Sequence, residues 1–194
     1  MTKPVYYKSF RSRKFQEPVK PNRSALDILA IKENIILDIG FGTGDSTIAL
    51  QGMFPHHSIM GIEAYKPGVK NLLSKKIYVH YGDALEILEE ISKDTISQIY
   101  MLFPDPWQKK KHRKRRLFNE YTFRVIMSII KRNGFFHFST DNISYALEAK
   151  KIISKVTSVD IAFSKNRSFR PITKFEKKSI SKKNFVFDLI YIKQ

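Results

Sequence analysis

The sequence predicts an α/β fold: a mostly parallel sheet with helices on both faces and an antiparallel last strand. Two patterns carry that prediction. Short apolar runs alternate with stretches of helical period, which implies a parallel sheet covered on both sides. The last run instead alternates apolar and polar residues after a polar, basic stretch. A chain of 194 residues with 42% hydrophobic and 13% aromatic content is long and apolar enough for one domain with a buried core.

The elements follow in order. Residues 1–33 read as a basic N-terminal arm and a short helix, and residues 34–194 as a single domain. Ile35–Ile39 is a short apolar run ending in glycine. Ser58–Glu63, Ile77–Tyr81, Ile96–Phe103 and Phe135–Ser139 read the same way. Between them lie helical stretches at Asp45–Gln51, Pro67–Leu73, Leu85–Ile91 and Tyr121–Lys131. A further helix over Ile143–Val156 sets Ile143, Ala146, Ile153 and Val156 on one face. Ser164–Lys183 reads as a long loop, and Phe185–Ile192 as the last strand. No internal repeat is found.

Composition narrows the chemistry. The absence of cysteine excludes disulfides, cysteine-held zinc or iron–sulfur clusters, and any cysteine nucleophile. No metal cluster is visible either. No apolar run reaches a membrane span and the start is basic and polar, so a cytoplasmic protein is expected. The net charge of +17 points to a polyanionic partner. Nothing indicates a required protein partner, and a monomer or homodimer is expected.

The strongest local signal is Asp38-Ile39-Gly40-Phe41-Gly42-Thr43-Gly44, between a strand and a helix. Gly40, Gly42 and Gly44 let a ligand approach the backbone at the sheet's carboxyl edge. The spacing is G-x-G-x-G, not that of dinucleotide binders. The preceding Asp38 disfavours a pyrophosphate and suits a ligand with an ammonium group. Glu63 ends the second strand, where a carboxylate can accept both ribose hydroxyls. Asp83 ends the third, where an adenine amino group can be met, although it could equally cap the following helix. Here the chain resembles the Rossmann-like class I S-adenosylmethionine methyltransferases.

The fourth strand ends Phe103-Pro104-Asp105-Pro106-Trp107, with an acid held stiffly between two prolines. Trp107, the only tryptophan, could belong to the core, but an aromatic at a strand's carboxyl end also suits stacking on a base. Seven of the eight residues from Lys109 to Arg116 are then Lys or Arg, beside that strand end, where phosphates could deliver a base. His112 reads as a phosphate or structural contact. Asp141 ends the fifth strand, and the late loop carries Thr173-Lys174-Phe175-Glu176.

Together, Phe-Pro-Asp-Pro-Trp, the basic run, Thr140-Asp141 and Thr-x-Phe-Glu resemble the bacterial tRNA (guanine-N7)-methyltransferases from about Ile35 onward. The resemblance implies S-adenosylmethionine as cofactor and tRNA as partner, with a guanine at tRNA position 46, in the variable loop, as target. It implies cofactor binding by Asp38, Glu63, Asp83 and Asp105, with Asp105 also catalytic. It further implies substrate binding by Lys109, Asp141, Thr173, Lys174, Phe175 and Glu176. RNA contact falls to Lys111, His112, Arg113, Lys114, Arg115 and Arg116. Lys8, Arg11, Arg13 and Lys14 resemble the family's basic arm. Guanine N7 already holds a lone pair, so such an enzyme needs positioning more than a general base. Asp105, Asp141 and Glu176 are the expected carboxylates facing the base.

Overall fold

The computed structural model describes Leu29 and residues 33–194. The basic arm with Lys8, Arg11, Arg13 and Lys14 lies outside the described residues; Leu29 is helical and buried in the core.

The described residues form a six-stranded sheet of order β3-β2-β1-β4-β5-β6. The strands are β1 (Ile35–Ile39), β2 (Ser58–Glu63), β3 (Tyr78–Tyr81), β4 (Ile96–Leu102), β5 (Ile130–Thr140) and β6 (Phe187–Ile192). The pairings β1–β2, β1–β4, β2–β3 and β4–β5 are parallel. β6 runs antiparallel to β5, from Phe135 opposite Ile192 to Thr140 opposite Phe187. The helices are α1 (Asp45–Met53), α2 (Lys66–Ser74), α3 (Ala84–Leu88), α4 (Glu120–Ile129), α5 (Ile143–Thr157) and α6 (Lys174–Ser181). A 3-10 helix spans Lys110–Arg115.

The central strands alternate between two packed faces, as a two-sided sheet requires. Leu37, Ile39, Ile99 and Met101 join a core with Phe118, Phe123, Phe136, Phe138 and Tyr145. Their neighbours Ile36, Tyr100 and Leu102 pack with Leu50 and Ile59 in a second cluster. Side-chain caps fix the starts of the later helices: Asn119 accepts from Thr122 N at 3.0 Å and Asn142 from Tyr145 N at 2.9 Å.

Several element ends shift by one to three residues from the sequence expectation, and two departures are larger. β5 begins at Ile130, where α4 ends, with a register shift between Ile96 and Gln98 on its partner. A Cβ on Gly134 would meet Ser97 O at 2.7 Å, so only glycine passes there. The stretch Ser164–Lys183 is not all loop, because it contains α6. Thr173 accepts from Glu176 N at 3.1 Å and starts that helix with a Thr-x-x-Glu signature.

Candidate functional site

Parallel strands place their carboxyl ends on one edge, and that edge gathers the candidate residues. The loop after β1 carries Gly40, Gly42 and Gly44 at φ of 76°, 60° and 93°. That region is costly for any side chain. A Cβ on Gly40 or Gly42 would meet nothing within 4 Å, so the space above the loop is open. The loop is clamped from behind: a Cβ on Gly68, in α2, would stand 1.7 Å from Gly42 O. The loop is therefore a shaped, uncluttered ledge onto which a ligand can settle.

Asp38 lies under this ledge and is 1% exposed. Its Oδ2 accepts from Ser46 Oγ and Thr47 Oγ1, both at 2.8 Å. Burial lifts its pKa to about 6; the two hydroxyls pull it down, and the nearby Glu63 carboxylate adds a smaller upward push. A cation brought alongside would relieve that penalty. The Glu63 carboxylate accepts from Gly42 N at 2.7 Å, Ala64 N at 2.7 Å and Tyr65 N at 2.9 Å. Burial raises its pKa against those bonds, and Asp105 raises it further, so Glu63 and Asp105 share one field. Asp83 does cap its helix, Oδ1 accepting from Leu85 N at 2.9 Å. Its half-buried carboxyl is raised by desolvation first.

The turn after β4 is strained at both ends. Phe103 has φ 53° and Trp107 φ 40°, which bulky residues rarely adopt. Several contacts hold it. Phe103 N donates to Ser139 O at 2.8 Å. The Phe103 ring lies 6.5 Å from Phe175, nearly parallel, and the Arg170 guanidinium sits 5.6 Å from its centroid. Arg115 lies over Trp107 at 4.9 Å, and His112 meets that ring edge-on at 6.0 Å. Asp105 is exposed at the apex and lines a hollow of about 320 Å³ with Pro106, Trp107, Gln108, Lys109 and His112.

The basic run forms the surface 3-10 helix, with no buried residue and Lys109 at its N-terminal cap. His112 is held below the ordinary histidine value by lost solvation and then by Arg115, Lys111, Lys109 and Lys114. Arg116 departs from the expectation of RNA contact. It is 1% exposed. Its Nε donates to Pro106 O at 2.8 Å, Nη1 pairs with Glu148, and the guanidinium lies 4.4 Å over Tyr145. It turns inward because the carbonyl of the strained turn needs a donor.

The later residues divide. Asp141 is exposed and accepts from Ser179 Oγ in α6. Phe175 is 59% exposed, and Lys174 reaches Asp45 at 3.1 Å, across to the start of α1. Thr173 is spent on its cap, and Glu176, 3% exposed, also departs from expectation. Its carboxylate is taken by Arg170 Nη1 at 2.6 Å and Arg167 Nε at 2.9 Å, leaving no face for a base. Arg170 also binds Asp188 through Nε at 2.5 Å and Nη2 at 2.9 Å, and His137 Nε2 lies 2.9 Å from Asp188. Burial holds His137 below the ordinary histidine value despite Asp188. The cluster is thus neutral, two arginines against two carboxylates. It joins β5, β6 and α6 directly behind Phe103. Sequence reasoning missed Arg170, Asp188, His137 and Gly68; the Thr173-x-x-Glu176 box was the one readable signal nearby.

Among the described residues no group of three or more His, Asp or Glu is placed to hold a metal, and no helix is long and apolar enough to cross a membrane. Residues 32–189 match the family model described as "Putative methyltransferase". The chain is 33% identical over 183 residues to a tRNA (guanine-N(7)-)-methyltransferase of Buchnera aphidicola, covering 86% of this chain and 76% of that one. It is 34% identical over 178 residues to the protein of the same description from Francisella tularensis subsp. novicida, covering 86% and 78%. Its fold is similar to a SAM-dependent methyltransferase from Archaeoglobus fulgidus, with TM-score 0.55, 12% identity, and 83% and 86% of the two chains covered.

Proposed function

The chain belongs to the tRNA (guanine-N7-)-methyltransferase family, and from that premise we propose which of its residues perform the transfer to guanine N7. The observation that carries the assignment is the shared edge: Asp38, Glu63, Asp83 and Asp105 stand at or just beyond the ends of β1, β2, β3 and β4 in one parallel sheet. The open glycine ledge over a desolvated acid suits a cationic, nucleoside-like cofactor. S-adenosylmethionine supplies a methyl group on a sulfonium, an electrophile needing no metal activation. Asp38 complements its positive end, Glu63 its ribose and Asp83 its base, with Gly40 and Gly42 allowing the close approach, whereas Gly44 makes room for Leu72 of α2, which a Cβ there would meet at 2.6 Å.

Asp105 faces both partners. Methylation at N7 leaves the guanine ring cationic, so a fixed carboxylate is stabilising where charge develops. Asp105 and the outer oxygen of Asp141 can accept from guanine N1–H and N2–H, which adenine cannot match. No base is required of the protein, because N7 is a nucleophile when neutral. The guanine leaves its stack to enter the hollow beside Trp107. Lys109, Lys111, Arg113 and Lys114 hold phosphates. Arg116 and Glu176 build the site rather than touch RNA. The target is position 46 in the variable loop.

Incubating the protein with bulk tRNA and methyl-labelled S-adenosylmethionine, then digesting and identifying the nucleoside, tests this. N7-methylguanosine mapped to the variable loop is expected. Label in a different nucleoside would overturn the acceptor assignment, and label elsewhere in the tRNA the position.

A further inference from the structure

The basic 3-10 helix has a hollow on each side. His112 lines the one that contains Asp105, and the next residue, Arg113, lines a second of about 480 Å³. The far wall of the second hollow is the first half of α5, with Ile143, Ser144, Leu147, Glu148 and Lys151. Ile143 and Leu147 are 51% and 47% exposed and lie one helical turn apart, so they form an apolar patch. Arg113 and Lys151 flank that patch, and Arg116 already neutralises Glu148. An apolar floor between cations, continuous with a phosphate-binding ridge, matches a nucleobase with its phosphates better than it matches a protein segment.

We propose that this second hollow seats an RNA nucleotide neighbouring the target guanine. The inference rests on the RNA-methylating reading above and adds a second base subsite to it. A guanine cannot leave its stack without exposing a neighbour, and a ridge with a receiver on either side takes up both. The seat is sequence-tolerant, because its floor offers contact area to any base and few directed donors.

A photo-crosslinking residue at position 147 tests this in the full chain with whole tRNA. Crosslinks are expected within about two nucleotides of the methylated guanine. Crosslinks only to distant nucleotides, only to a second copy of the protein, or to nothing would overturn the proposal. In parallel, Leu147→Glu sets an acid four residues before Lys151, a spacing that supports the helix. It should raise KM for tRNA about tenfold, the worth of one lost stacking contact, with unchanged thermal stability and cofactor affinity. Leu147→Met should restore wild-type KM. A wild-type KM in Leu147→Glu would also overturn the proposal. Wild-type production of N7-methylguanosine in the same assays checks the underlying reading separately.

Discussion

Arg116→Met separates a structural arginine from an RNA-binding one. The buried guanidinium donates to Pro106 O at 2.8 Å and lies 4.4 Å over Tyr145. A charged donor to a buried carbonyl contributes about 1.5–3 kcal/mol, and a desolvated cation–π contact about 2. The Glu148 partner is 37% exposed and adds under about 1. Methionine keeps part of the apolar stem, and removing a buried charge recovers desolvation cost. The net loss is about 3 kcal/mol. For a chain of 194 residues, at about 2–4 °C per kcal/mol, Tm should fall about 6–12 °C. Calorimetry and the salt dependence of tRNA binding should be read together. A phosphate-contacting arginine would instead leave Tm alone and reduce the salt slope by about one. A Tm within about 2 °C of wild type, with a shallower slope, would refute the reasoning.

Gly42→Ala sets a Cβ at φ 60° into open space above the ledge. It should cost about 1 kcal/mol of stability yet weaken cofactor binding at least about tenfold by titration calorimetry, because the intruding methyl occupies the ligand's side. Asp38 has a folded pKa of about 6, above its unfolded value. Its ionised form is therefore disfavoured by the fold, a cost at pH 7 that is relieved as pH falls through 6. A cationic ligand reverses this, so cofactor binding near pH 6 should release protons and weaken below it, whereas Asp38→Asn should be flat. Arg170→Met should cost about 3–5 kcal/mol by orphaning buried carboxylates. Asp188 and Glu176 are raised by burial, but their bonds to His137 and the arginines outweigh it and hold them low. They stabilise wild type above the ordinary carboxylate range, and that stability is lost on acidification. In the variant both rise, so acidification toward pH 5 should narrow the deficit in denaturant midpoint.

The sheet was legible because its signals are local. β1 and β2 have the predicted bounds, each a run buried on both faces and cut by a turn. The ring of acids was legible because parallel topology sends strand ends to one edge. What stayed hidden depends on distant partners. Nothing in Lys109–Arg116 marks Arg116 as the one that turns in; its partners Pro106 and Glu148 lie 10 and 32 positions away. Arg170 and Asp188, 18 apart, meet only once β6 has paired with β5. α6 could have been found, since Thr173-x-x-Glu176 announces a helix start, but its polar composition reads as loop. The Glu176 carboxylate then pairs with Arg170 and Arg167 instead of facing the base.

The proposed chemistry turns on Asp105 as the fixed charge at the methyl-transfer centre. The most direct test is single-turnover methylation of tRNA by wild type and Asp105→Ala, with circular dichroism and tRNA binding measured alongside. Wild type should form N7-methylguanosine, and the variant should be slower by about 100-fold or more while still folded and still binding tRNA. Methylation by Asp105→Ala at the wild-type rate would contradict the account.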